Sequence, residues 1–250
     1  MRKLGLLAAT VALVAALAAV AYAAQVNTYG VNATTSPASA GSKKKPVPIA
    51  LNFRYTVGEE SGQRPSPVKR YRIAVQGMQN NAGLFPSCTA QEINDAGDDS
   101  GCSKKALVGT GSIDNATGSS SDPNDRSIKC AANIRFYAGG KDRVAIYVYA
   151  GPPTCPITLS TAIDGRFVKV KGGQALQFEV PSTLLHPVTG LDNAVVEVVS
   201  KFPRKTVTAG GKQRGFYELV GGCKGGKRAV EVQFVPESGA AATATSSAKC

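Results

Sequence analysis

Between Cys223 and Cys250 the chain alternates apolar and polar residues, turns, and reaches a second cysteine. Val230, Val232 and Phe234 alternate with Glu231 and Gln233, the two-residue period of a strand with one face in a core and the other in water. Pro236-Glu237-Ser238-Gly239 is turn-prone, and an Ala/Thr/Ser run follows, so the segment reads as a hairpin. Chain ends fray unless something ties them down. A bond from Cys250 back to Cys223 would tie this one, and such a bond needs an oxidising compartment.

The N-terminus agrees with export. Arg2 and Lys3 precede an apolar stretch from Leu4 to Val20, and Ala21-Tyr22-Ala23 supplies a small-x-small cleavage site. Residues 1–23 therefore read as a Sec signal peptide, with an uncleaved membrane anchor as the alternative. No Arg-Arg pair marks the twin-arginine route, and no cysteine follows the apolar stretch to take a lipid. Nothing later approaches the roughly 20 apolar residues of a membrane span. The expected product is secreted and extracellular, with cell-wall association open.

All six cysteines lie downstream of this leader. Six cysteines can pair in many ways, and proximity favours Cys88 with Cys102, Cys130 with Cys155, and Cys223 with Cys250. Each bond closes a short loop, worth roughly 3 kcal/mol in the chain-entropy account. Zinc sites use CxxC-like spacing, which the chain lacks.

Residues 24–45 are rich in Asn, Thr, Ser, Ala and Gly and end in Lys43-Lys44-Lys45. They read as a flexible polar linker, leaving 46–250 as one disulfide-stapled domain; a split near residue 125 is the alternative. From Val47 to Val57 the alternation is strict. Tyr71, Ile73 and Val75 mark the inward face of a second strand, Val68 to Gly77, expected to pair antiparallel with the first. Thr89 to Ala96 is the one expected helix, with Thr89 as N-cap and Glu92 completing a capping box. Ala106 to Ile113 reads as strand, where Gly109 and Gly111 signal a bulge or close backbone approach, and Asp114 to Asp125 reads as a polar loop. Further strands follow at Ile128–Tyr137, Arg143–Ala150, Cys155–Ile163, Gly165–Val170, Gln174–Val180, Asn193–Phe202 and Gly215–Val220. Arg143–Ala150 is apolar on both faces and so belongs mid-sheet. Strands in sequence without intervening helices point to an all-β antiparallel two-sheet sandwich, immunoglobulin-like or jelly-roll-like, with one short helix.

Chemistry is sparsely written. The single histidine, His186, allows no multi-His zinc site, and no Gly-x-Ser-x-Gly elbow accompanies it, so it reads as structural or exposed. Glu179, Glu197, Glu218 and Glu231 lie on strands, where solvated faces explain them better than a glycosidase pair. Tyr147 and Tyr149 would stack a sugar or base on an exposed face, but packing is the expected role. Asp95, Asp98, Asp99 and Ser100, and Asp122, Asn124 and Asp125, supply calcium-type oxygens without EF-hand spacing; turn chemistry accounts for them. Asn32-Ala33-Thr34 and Asn115-Ala116-Thr117 match a glycosylation sequon that recurs by chance. The formal net charge of +12, with Lys43–Lys45 and the group Lys224, Lys227 and Arg228, reads first as a solubilising surface charge; a positive field also suits anionic cell-wall polymers, lipid headgroups or extracellular nucleic acid, and another extracellular protein is the further candidate partner. Poor aromatic interleaving argues against specific nucleic-acid binding.

Lys45-Pro46-Val47-Pro48-Ile49, Leu184-Leu185-His186-Pro187 followed by Ala194-Val195-Val196, and Gly221-Gly222-Cys223-Lys224-Gly225-Gly226-Lys227-Arg228 with the final cysteine occur together. In these phrases residues 43–250 resemble a family of uncharacterised exported proteins of high-GC Gram-positive bacteria, in which a signal peptide precedes a cysteine-bearing β domain. The resemblance implies export and fold class and supplies no functional residue. The expected function is a non-enzymatic extracellular or cell-envelope binding or structural module without catalytic residues, cofactor or metal. A secreted hydrolase with an unrecognised site and a calcium-dependent adhesion module are the alternatives.

Overall fold

The computed structural model describes residues 25–250; the leader expected over 1–23 lies outside the described residues. In chain order the elements are β1 (Asn27–Ser36), β2 (Val47–Pro48), β3 (Ala50–Glu59), β4 (Val68–Val75), β5 (Met78–Asn80), α1 (Ala90–Ala96), β6 (Leu107–Ser119), β7 (Ile128–Ala138) and β8 (Arg143–Ala150). There follow β9 (Leu159–Val170), β10 (Gly173–Glu179), α2 (Ser182–Leu185), β11 (Leu191–Phe202), β12 (Thr206–Ala209), β13 (Lys212–Gly215), β14 (Tyr217–Leu219), β15 (Lys227–Pro236) and β16 (Ala242–Lys249).

Hydrogen bonding runs unbroken through one eleven-stranded antiparallel sheet, ordered β1-β3-β11-β6-β7-β8-β9-β10-β4-β15-β16. The two sheets expected from sequence are thus joined, because every strand between β1 and β16 is paired on both sides. The edge strands β1 and β16 lie side by side without ladder bonds between them. Tyr29 of β1 stacks on Phe234 of β15, ring centroids 4.2 Å apart, across this seam. The curled sheet wraps a single apolar core to which the long strands contribute alternate residues. A smaller sheet, β2-β14-β5, covers one end, and β12-β13 forms a separate ribbon. Among the described residues no helix is long and apolar enough to cross a membrane.

Three expectations are corrected. The supposed linker contains β1, paired with β3 from Asn27↔Glu59 to Ser36↔Ala50, so the domain begins upstream of residue 46. Its alternation is real, with Ala33 and Thr35 buried and Asn32 and Thr34 exposed, but small polar residues mask it. β3 does not pair with β4: β1 and β11 flank β3, and β10 and β15 flank β4. The loop between them crosses one end of the curled sheet, held by Arg64. Finally, β6 continues through the expected polar loop to Ser119, pairing with β7 and β11.

Other features follow the sequence closely. α1 begins at Thr89 with both halves of its capping box, and Gly97 ends it at φ 80°, the left-handed conformation that glycine adopts without strain. Bonds join Cys88 to Cys102, Cys130 to Cys155 and Cys223 to Cys250, the pairs that proximity favours. The first clips the α1 excursion onto the outer face of β7, β8 and β9, where Ile93 packs with Tyr137, Tyr147 and Ala162. Asn94 reinforces it by exchanging two hydrogen bonds with the backbone of Ala162. β6 bulges next to Gly109, where a Cβ would lie 2.5 Å from the Phe202 ring; the residue is needed for that approach.

Candidate ligand-binding cavity

Inward alternation from opposite walls leaves a cavity of about 100 Å³ inside the curled sheet. Phe53, Ile134, Ile146, Val148, Leu176 and Phe202 give its character; no charged residue lines it. Apolar voids of this kind stay dry and accept small apolar molecules, as a ~150 Å³ engineered cavity accepts benzene.

The two ends are closed differently. At one, the small sheet inserts Tyr217 and Leu219, both buried. Tyr217 meets Phe202 edge-on at 5.2 Å and Phe167 at 6.0 Å. Beside them Glu218, with a fully buried side chain, pairs with Arg214 at 3.0 Å and accepts from Gly215 N–H at 2.9 Å and Gln79 Nε2 at 3.0 Å. Burial disfavours its charge, but Arg214 and the surrounding donors outweigh that and hold its pKa below the ordinary 4.5. Glu218 is therefore a structural ion-pair partner, not the solvated strand acid expected.

At the other end α2 forms a four-residue lid whose Leu184 and Leu185 line the cavity. Asn193 Nδ2 donates to Leu184 O at 2.8 Å, and its Oδ1 accepts from the Thr117 hydroxyl at 2.6 Å. His186, just past α2, places Nδ1 3.1 Å from Asp192 and Nε2 3.0 Å from Glu237. Burial opposes protonation of the ring, but the two carboxylates prevail and raise its pKa above 6.5. Since both ring nitrogens face carboxylates, neither is placed to activate a serine. Asp192 also meets the buried Arg64, whose guanidinium donates to the carbonyls of Ser119, Asp122 and Asp125.

That last contact accounts for one acidic loop. Around Arg64 the chain turns its carbonyls onto a resident cation, while Asp125 accepts the N–H groups of Ser119 and Ser127, which hold its pKa at about 2. Asp122 caps Asn124 N–H. In the other loop Asp98 accepts from Ser100 N–H, and Asp99 binds Arg135 through both oxygens and the Tyr137 hydroxyl at 2.5 Å. Among the described residues no three His, Cys, Asp or Glu side chains converge as a metal-holding group.

The remaining candidates disperse. Glu179 pairs with Arg70 and Glu197 with Arg54, both on exposed faces, and Glu231 is exposed on β15. Tyr147 is buried beneath α1, its hydroxyl 2.9 Å from Ser160 Oγ. Tyr149 stacks on it at 5.3 Å, with Arg135 4.7 Å above the Tyr149 ring centroid. Tyr147 is thus packed, while Tyr149 is half-buried against it. Arg228, expected as a surface cation, is completely buried and donates to the carbonyls of Ser39, Gln76 and Gly221. Lys43, Lys44, Lys45, Lys224 and Lys227 are exposed. Sequence reasoning missed Asn115, which faces the cavity from β6. Its signal was its place, two residues after the inward Ile113.

No family model, curated protein or solved structure matches this chain.

Proposed function

We propose that this chain is an exported, non-enzymatic binding protein of the extracellular space or cell envelope, and that it holds a small apolar molecule inside its curled sheet. The observation that carries this reading is the uncharged interior cavity of about 100 Å³ beneath the α2 lid. Its volume is of the order that admits a single aromatic ring. Three disulfides suit an oxidising compartment. On this reading the sheet is a flattened barrel wall, since its edges β1 and β16 lie together, rather than half of a sandwich.

Titration with toluene tests the proposal. The methyl signals of Ile146, Val148 and Leu184 are expected to shift together and saturate, and Val148→Phe, which fills the space, is expected to abolish the response in a folded protein. No methyl shift up to the solubility of toluene would refute the reading.

A second reading rests on the exposed lysines. The Gly41–Val220 bridge and the Arg228 bond to Ser39 bring the segment carrying Lys43–Lys45 beside that carrying Lys224 and Lys227. Lys249 pairs across from Lys227. This cationic end suits anionic cell-wall polymers, and co-sedimentation with wall fragments should then occur at low salt and disappear at high salt.

A further inference from the structure

We infer that the cavity's ligand is an uncharged amphiphile whose hydrogen-bond donor, a hydroxyl or equivalent, sits at the α2 end. This deepens the binding reading and rests on it.

Polar groups line both ends of the cavity: Ser200 and Tyr217 lie with Phe202, Phe136 and Leu176 toward the small sheet, and Asn115 and Asn193 near α2. Asn193 is fully engaged by Leu184 and Thr117. Asn115 is not: its Nδ2 donates to Cys130 O at 3.2 Å, while its Oδ1 is buried and unpartnered. The amide cannot flip to relieve this, because the carbonyl of Cys130 accepts only from the nitrogen side. An acceptor is thereby left without a partner on a residue that lines the cavity. Native proteins seldom leave such an atom unpaired.

Tyr71, on the opposite wall, also lines the cavity. Its hydroxyl lies close to that of Tyr55 but has no hydrogen bond of normal geometry. Burial raises the pKa of both phenols, so they stay neutral. With no charged side chain on the lining, an ionised head group would be desolvated without compensation. A donor facing Asn115 Oδ1 would supply that acceptor's missing partner, and an apolar body would fill the space among Ile134, Val148 and Phe202.

Toluene, phenol and benzoate separate the possibilities, because toluene and phenol differ only by methyl against hydroxyl. In wild type, toluene and phenol are both expected to bind, with the Asn115 side-chain amide signals shifting for phenol but not for toluene, and benzoate is expected to bind at least tenfold more weakly. In Asn115→Leu the preference for phenol over toluene is expected to fall at least tenfold. If a trapped water already serves Asn115, phenol will have no advantage and Asn115→Leu will leave the preference unchanged, which overturns the inference while leaving the cavity a binding site. Benzoate binding as tightly as phenol overturns it too. Failure of all three to bind refutes the binding reading itself. The amide-signal readout needs no variant and stands even if Asn115→Leu does not fold.

Discussion

The small-sheet end and the α2 end close the same cavity by opposite means. The first is cross-braced: Tyr217 and Leu219 are sunk into the core, Glu218 and Arg214 form a shielded ion pair, and the Cys223–Cys250 bond lies alongside. The second rests on four helical residues, one backbone bond from Asn193 and a partly exposed histidine between two carboxylates. Short elements with few neighbours open first, so α2, although Leu184, Leu185 and the Asn193 bond are buried, is the end expected to act as a door and the small sheet the end expected to act as a stopper.

Cys223→Ser with Cys250→Ser should lower global stability by about 3–4 kcal/mol, read as a shifted urea midpoint. Glu218→Ala should cost about 2–3 kcal/mol, less than a wholly buried pair because Arg214 still reaches water. Both should unfold the protein as a whole; if either loosens only the small sheet, the brace is local and the contrast fails. At the door, Leu184→Ala should cost about 2 kcal/mol and speed amide exchange selectively in α2. Equal acceleration throughout the sheet would show that no separate lid exists.

The smallest effect distinguishes the ends by pH. The raised pKa of His186 means that its pairing with Asp192 and Glu237, backed by Arg64, is complete below about pH 6.5 and fades as pH rises through the folded-state value. The lowered pKa of Glu218 works the other way, its contribution being present above the ordinary carboxylate range and lost in acid. His186→Gln should remove under about 1 kcal/mol, given its exposure, and should abolish a rise in α2 amide exchange on going from pH 6 to pH 8.5 beyond that of neighbouring loops. If wild-type α2 shows no such excess rise, His186 is not what latches the door.

Much of the wall was legible because alternation reports burial wherever inward residues are apolar, as in β3, β4 and β15. The Thr89–Glu92 cap was legible because capping is local. Nonlocal partners decided the rest. β1 is a strand because β3 offers an edge and Phe234 a stacking face, neither visible from Asn, Thr and Ser. Asp164-Gly165 looks like a turn, yet it lies within β9, where Gly165 is required because a Cβ would press within 3.0 Å of Val144 and Leu176. Asn115 was hidden for a more instructive reason. It is a polar residue on an inward face, so the pattern that finds cores read it as loop; positions that break such consistency are where function tends to lie.

The seam between β1 and β16 carries a consequence for how the protein is made. Strands adjacent in space stand at opposite ends of the described chain, so the wall can close only after nearly all of the described chain has been made. Until then β15, and the face of β1 turned to the seam, are unprotected edges, and unprotected edges invite pairing with other chains. Contacts so distant in sequence also form slowly. Biogenesis, more than the finished fold, is the step at which this architecture is vulnerable, and the Cys223–Cys250 bond ties the last hairpin in place once it has formed.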